Sequence, residues 1–353
     1  MSHPVMVQTV TGPLPVSKLG ATVTHEHVFL DSRDGFSPRA DAIDPNMSVT
    51  PQTRAAVDRY PLSVRDNLLL DDLDMAVQEL RMARTAGLHT LIEATSLFTG
   101  RQAERLFSAA QASGMQIVMG SGLYMERAIP PHMRDWSEAA LMQVIEDDLL
   151  QGEDTVHGRI LPGVIGEVGV SADPTPLERR SLRGSARVAH AHGVPLSVHL
   201  PAWDKAGHDV LDEIVSATGT IRGVLLGHLN PMAHDLDYMV SLAERGAWLG
   251  LDMMGNALDY GQGRKSPDDA TNIVNLQALL AAGLGPCLLL SSDVGQKNML
   301  RANGGQGYGH VLDRILPALA KIGLPAQTGS ALVTVNPRTW FLDAAGAVSG
   351  GLS

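Results

Sequence analysis

Short apolar, β-branched runs recur along the whole chain, separated by stretches whose apolar positions return every three to four residues. The first pattern predicts strands buried on both faces, and the second predicts amphipathic helices packed over them. Strands are expected at residues 21–24, 90–94, 116–119, 163–167, 196–199, 223–227, 247–251 and 287–292. Helices are expected in "DMAVQELRMARTAG", "TPLERRSLRGSARVAHAHG", "HDLDYMVSLAERG" and "SPDDATNIVNLQALLAAG". The second carries Thr175, Pro176 and Glu178, an N-cap, a first-turn proline and a capping-box partner, and ends at Gly193. The fourth repeats the device with Ser266, Pro267 and Asp269.

Strands alternating with helices imply right-handed parallel βαβ units. Eight such units allow closure into an α/β (β/α)₈ TIM barrel, with a doubly wound open sheet as the competing arrangement. No linker composition divides the chain, so residues 1–353 are read as a single barrel domain. Two long irregular stretches, "DSRDGFSPRADAIDPNMSVTPQT" and "DVGQKNMLRANGGQGYGH", come after the first and eighth strands. In a TIM barrel such βα loops build the active-site face.

Composition narrows the function classes. With 353 residues and 44% hydrophobic content, the chain can bury a large core. A formal charge of −11 argues against a nucleic-acid or anionic-membrane partner and leaves a small-molecule substrate. The single cysteine, Cys287, rules out an internal disulfide. The opening "MSHPVMVQTVTGPLP" lacks the pattern of a secretory signal, and no apolar stretch reaches membrane-spanning length. A soluble cytoplasmic protein, compatible with a homodimer, is the expectation.

The candidate chemistry lies at the strand ends. In "TVTHEHVFLD", side chains two apart on a strand share a face, so Val23, His25 and His27 are expected on one side and Thr24 and Glu26 on the other. The fourth strand delivers Glu167, the fifth His199, the sixth His228 and the eighth Asp293. Singly, such residues pair with an arginine or cap a helix. Together, four imidazoles and two carboxylates on one rim suffice for two divalent metal ions, Zn²⁺ first, with Mn²⁺, Co²⁺ or Fe²⁺ as alternatives. His25, His27 and Asp293 are expected to hold one ion, His199 and His228 the other, with Glu167 bridging. Metal-bound hydroxide would then attack, with Asp293 as the catalytic proton acceptor. His190 and His192 near a helix end, and His89, His132, His157, His208, His234 and His310, are read as structural. Lys297 and Arg301 lie just after strand eight and are candidates for binding an anionic substituent, while Met253, Met254 and Tyr260 are candidate apolar lining.

These residues resemble the phosphotriesterase family of the amidohydrolase superfamily, including its lactonase-like and phosphotriesterase homology members. The resemblance runs through "VQTVTGPLPVSKLGATVTHEH", "GVIGEVG", "GVPLSVH", the "GH" ending in His228, the "SSD" ending in Asp293, "NGGQGYGHVLDRILPAL" and "VNPRTWF". It implies a TIM barrel, a binuclear metal centre and water-mediated hydrolysis, with ligands falling on the six residues already named. Phosphotriester-cleaving members bridge their ions with a carboxylated lysine; here "IGEVG" puts Glu167 in that place. That departure turns the expectation toward lactones, related carboxylic esters or N-acyl amides. The resemblance also puts Tyr124 of "GSGLYMER" where lactonase-like members carry a substrate-facing tyrosine, and Leu229 and Asn230 where relatives often have aspartate. Lactone or ester hydrolysis leads, with N-acyl amide and phosphotriester hydrolysis behind it. A TatD-type nuclease shares the His-x-His and strand-four glutamate, and a binding-only barrel would lack a ligand, whereas none is missing.

Overall fold

The computed structural model describes residues 4–39, 41–261 and 263–346; residues 1–3, Ala40, Gln262 and residues 347–353 lie outside the described residues. All eight expected strands form, as β1 (Thr22–Glu26), β2 (Thr90–Glu93), β3 (Gln116–Ser121), β4 (Val164–Gly169), β5 (Leu196–His199), β6 (Val224–Leu226), β7 (Trp248–Leu251) and β8 (Leu288–Leu290). They lie in one parallel sheet in sequence order, each hydrogen-bonded to its successor. Just past the strand ends the ring closes: Asp293 N–H donates to His25 carbonyl at 3.2 Å and His27 N–H to Val294 carbonyl at 3.2 Å. The fold is a (β/α)₈ TIM barrel, and the open sheet is excluded.

Alternation along the strands builds two apolar layers. Ile92, Val118, Val164, Leu225, Trp248 and Leu289 meet in one buried cluster with Trp340 and Phe341 of the last helix. Their strand neighbours Leu91, Ile117, Ile165, Leu226, Leu249 and Leu290 pack instead with helical residues in the larger cluster. An N-terminal hairpin, Met6–Thr9 with Gly12–Pro15, adds Val7 to the first cluster. It lies against the start of β4, where a Cβ on Gly163 would come within 2.2 Å of the Gln8 carbonyl. The bottom of the barrel is thus stoppered, and the chemistry is left to the opposite rim.

Helices α1 (Leu73–Thr85), α2 (Ala103–Ser113), α3 (Glu138–Gln151), α4 (Pro176–His192), α5 (Gly207–Thr218), α6 (Leu236–Glu244), α7 (Asp269–Ala281) and α8 (Ala326–Ala344) surround the strands. The capping box of α4 forms as expected, and Gly193 closes it at φ 63°. For α7 the expected start is corrected: Asp268, not Ser266, is the N-cap, accepting from Thr271 N–H. Ser266 is buried and Asn272 reaches back to the Pro267 carbonyl, so the chain enters the helix two residues later. Among the described residues, no helix is long and apolar enough to cross a membrane.

Candidate metal centre

Two irregularities in the ladder aim the central side chains. The β1–β2 register shifts between Val23 and Glu26, and the β4–β5 register shifts between Ile165 and Val168. A bulge inserts a residue and re-aims the side chains beyond it. The expectation that Val23 shares a face with both histidines is therefore corrected: Val23 packs in the outer apolar cluster, while His25 and His27 turn to the centre. Glu26 faces away, as expected, and its carboxylate accepts from Ser291 and from the Ser292 and Val294 N–H groups. His228 and Asp293 adopt left-handed backbone, φ 59° and 49°, a conformation that costs energy outside glycine and clusters at functional sites.

The six expected residues meet around Glu167. Its Oε2 lies 3.3 Å from His25 Nε2, 2.8 Å from His199 Nδ1 and 3.4 Å from His228 Nε2, and its Oε1 lies 3.4 Å from His27 Nε2. Asp293 Oδ1 stands 3.5 Å from His27 Nε2 and 3.8 Å from His25 Nε2. Candidate ligand atoms of His25, His27 and Asp293 fall within 4.8 Å of one another, as do those of His25, Glu167 and His228. His199 joins through Nδ1, 2.8 Å from His228 Nε2.

Burial opposes charge on every imidazole here, yet the carboxylates outweigh it at three of them. Glu167 and Asp252 raise His25, and Asp252 with Glu167 raises His228 well above its ordinary value. Asp293 with Glu167 takes His27 up to about 9. His199 moves down, through burial and the neighbouring His228. Burial would push Glu167 up, but His25, His199 and His228 hold it well below the usual carboxylate range. Three carboxyl groups, from Glu167, Asp252 and Asp293, thus face the four rings. Both ring nitrogens of His25 are buried without a hydrogen-bond partner, which is uncommon in a native interior. Imidazole and carboxylate donors with such an orphaned ring fit divalent metal ions.

The centre opens into a cavity of about 620 Å³, lined by His27, Glu167, His199, His228 and Asp293 at its base. Tyr124 lines it, with its hydroxyl 3.3 Å from His199 Nε2 and its pKa pushed well up by burial and Glu167. Met253 and Tyr260 line it too, whereas Met254 is buried and accepts from Asn230. Lys297 and Arg301 need correction. The Lys297 ammonium pairs with Asp66 at 2.6 Å, and the Arg301 guanidinium pairs with Asp313 and donates to the Gln306 carbonyl. Their charge is spent inside the loops and does not face the cavity. The cations at the cavity are Arg127, paired with Asp34, and Arg264, whose guanidinium has no carboxylate within 4.0 Å among the described residues. Of the histidines read as structural, His192 pairs with Glu146, His208 with Ser241 and His310 with Asp269, and none of these three lines the cavity.

Sequence reasoning passed over three acids behind the ligand set. Asp252 contacts His25 and His228; Glu93 accepts from Thr95, whose hydroxyl meets His27 Nδ1 at 2.9 Å; Glu26 holds the chain on either side of Asp293. The available signal was position. Glu93 and Asp252 each close an apolar strand run, "TLIE" and "LGLD", whereas Glu26 follows Thr24 and His25 and carries no such mark.

Residues 5–341 match the model of the Phosphotriesterase family. A resiniferatoxin-binding protein from Rhodobacter sphaeroides superposes with a TM-score of 0.92 at 34% identity, over 98% of this chain and 96% of that one. A phosphotriesterase homology protein from Escherichia coli, solved with phosphate in its active site, superposes with a TM-score of 0.74 at 26% identity, over 92% of this chain and 99% of that one. The N-acetyltaurine hydrolase of Xenopus tropicalis is 28% identical over 342 residues, 95% of this chain and 97% of the relative.

Proposed function

The chain belongs to the phosphotriesterase family, and from that premise we propose that this hydrolytic enzyme opens a lactone or cleaves a related carboxylic ester at a two-metal centre. The observation that carries the reading is Glu167, an unmodified carboxylate in contact with the imidazoles of His25, His27, His199 and His228 at once. His25, His27 and Asp293 would hold one ion and His199 and His228 the other, with Glu167 shared and zinc the first candidate. Bound there, divalent cations supply a water of lowered pKa and a Lewis acid for the carbonyl oxygen.

The protein's own groups carry the rest. Asp293 is partly open to the cavity, its side chain 20% exposed, so it is placed to take a proton from the attacking water. The same carboxyl then delivers that proton to the departing oxygen, which a ring-opening alkoxide requires. Tyr124 stays protonated beside His199, so its hydroxyl can donate to the oxyanion that forms as the carbonyl is attacked. The apolar wall of Leu200, Trp203, Met253 and Tyr260 excludes water from the substrate body.

A second reading, N-acyl amide hydrolysis, is favoured by Arg264. A guanidinium at the cavity with no carboxylate partner among the described residues suits a substrate with an anionic end, and relatives named N-acetyltaurine hydrolase fit that chemistry. The test is a hydrolysis panel on chelator-treated protein with Zn²⁺ or Mn²⁺ returned. Lactones, carboxylic esters, N-acyl amino acids, N-acyltaurines, phosphotriesters and a labelled oligonucleotide make up the panel. Metal-restored turnover of a lactone or ester supports the leading reading, and turnover confined to N-acyl compounds selects the second. Activity that survives full metal removal, or is confined to the oligonucleotide, overturns both.

A further inference from the structure

Asp252 comes directly after β7 and is fully buried, yet among the described residues no lysine or arginine comes within ion-pair distance of it. Its carboxylate instead faces two imidazoles from different strands. Oδ1 lies 3.1 Å from His228 Nδ1, a hydrogen bond, and Oδ2 lies 3.5 Å from His25 Nδ1, a charge contact without one. The His228 backbone N–H donates to the same carboxylate, 2.8 Å from Oδ1 and 3.1 Å from Oδ2, which anchors it from a third direction.

The opposite nitrogen of each ring points at one atom. His25 Nε2 is 3.3 Å and His228 Nε2 3.4 Å from Glu167 Oε2. The two rings, with centroids 4.7 Å apart, are held between a carboxylate behind them and a carboxylate in front. The backbone makes room for the rear one. A Cβ on Gly250 would come within 2.8 Å of Asp252 Oδ2, and one on Gly227 within 3.0 Å. Gly250 sits on β7 and Gly227 directly after β6, so a side chain at either position would displace this carboxylate.

We infer that Asp252 is a positioning residue shared by the two halves of the centre, orienting His25 and His228 together so that both present Nε2 to the metals. This rests on the two-metal reading given above. A histidine ligand is oriented by what its other nitrogen faces, here a hydrogen-bonded carboxylate for His228 and a close charge contact for His25, and loss of such a partner typically weakens metal binding 10–100-fold. What is particular here is that one side chain serves a candidate ligand from each ion. Its removal is expected to weaken both binding steps, where loss of the Thr95 contact to His27 would reach one.

The experiment is zinc titration of chelator-treated wild type and Asp252→Asn against a competing chromophoric chelator, with melting temperatures of both metal-free proteins. About 10–100-fold weaker binding at both steps, with similar metal-free melting, supports the inference. Two steps of unchanged affinity, or a shift in one step only, overturn it, as does a variant that melts lower but binds zinc as the wild type does. Wild type that takes up no zinc overturns the two-metal reading itself. Should Asp252→Asn not fold, side-chain ¹⁵N spectra of zinc-loaded wild type decide. An Nδ1–H tautomer is expected for both His25 and His228, and an Nε2–H form of either overturns the inference.

Discussion

Ser291 and Glu26 meet across the seam between β8 and β1. The Ser291 hydroxyl donates to Glu26 Oε1 at 2.7 Å and accepts the His25 backbone N–H at 2.9 Å. Glu26 Oε1 also accepts from Ser292 N–H and Oε2 from Val294 N–H, each at 2.8 Å. The carboxylate thus grips the backbone on both sides of Asp293 while its neighbours in sequence, His25 and His27, face the centre. Closing the barrel and aiming three candidate ligands are one structural act.

Replacing Ser291 by alanine leaves the His25 N–H buried with no acceptor and Glu26 short of a donor. An orphaned buried polar group costs about 1–3 kcal/mol, so Ser291→Ala is expected to lose stability by that amount. Urea unfolding of metal-free protein checks it. A midpoint equal to that of wild type would show that the seam is held elsewhere.

Asp293 combines contact with His25 and His27 with partial exposure to the cavity, unlike the deeply buried Glu167. Removing a positioned acid–base group typically costs 10²–10⁴-fold in rate. Asp293→Asn is therefore expected to lower kcat by about that factor on any substrate the panel identifies, with the circular dichroism spectrum unchanged. Unaltered kcat would remove Asp293 from the proton path.

The legible part of the chain is the local part. Parallel strands buried on both faces read as unbroken apolar runs, so a histidine or acid closing such a run stood out, and His25, His27, Glu167, His199, His228 and Asp293 were found together. The bulges beside His25 and Glu167 leave no mark in apolar periodicity, so strict alternation puts Val23 on the wrong face. Lys297 and Arg301 looked free because their partners are set by loop folding; Asp66 lies 231 residues from Lys297. Asp252 stands in "LGLDMMG" with no second ligand-type residue beside it, and its partners His25 and His228 come from other strands. The glycines that make room for it, Gly227 and Gly250, have a meaning only once two strands lie side by side.

Arg264 and Arg127 both reach the cavity, but Asp34 neutralises Arg127 at 2.7 Å. Anionic substrates are thus expected to depend on Arg264. Arg264→Gln should raise KM about tenfold for an N-acyl amino acid or an N-acyltaurine, a loss near that of one charged hydrogen bond. It should leave KM for a neutral lactone of similar size unchanged. Steady-state kinetics on the matched pair distinguish this from general damage, which would raise both.

Arg183 on α4 bridges two helices at the outer surface, with Nε 2.7 Å from Glu138 Oε2 of α3 and Nη1 2.8 Å from Glu213 Oε2 of α5. Arg187 adds to Glu138 and Arg179 to Glu213. Partial burial pushes both carboxyls up, but Arg183 and these neighbours outweigh it, so each sits below its ordinary 4.5. For a carboxylate lowered on folding, the contribution to stability is present above the unfolded value and is lost as pH falls through the folded one. The wild type is therefore expected to shed this contribution as pH falls below about 4.5. Arg183→Met keeps the apolar stem and removes the charge, and at neutral pH should cost about 0.5–1 kcal/mol. Melting curves of both proteins from neutral to acid pH should converge once Glu138 and Glu213 are protonated. A gap between them that stays constant across that range would assign the effect to packing of the arginine stem and not to the ion pairs.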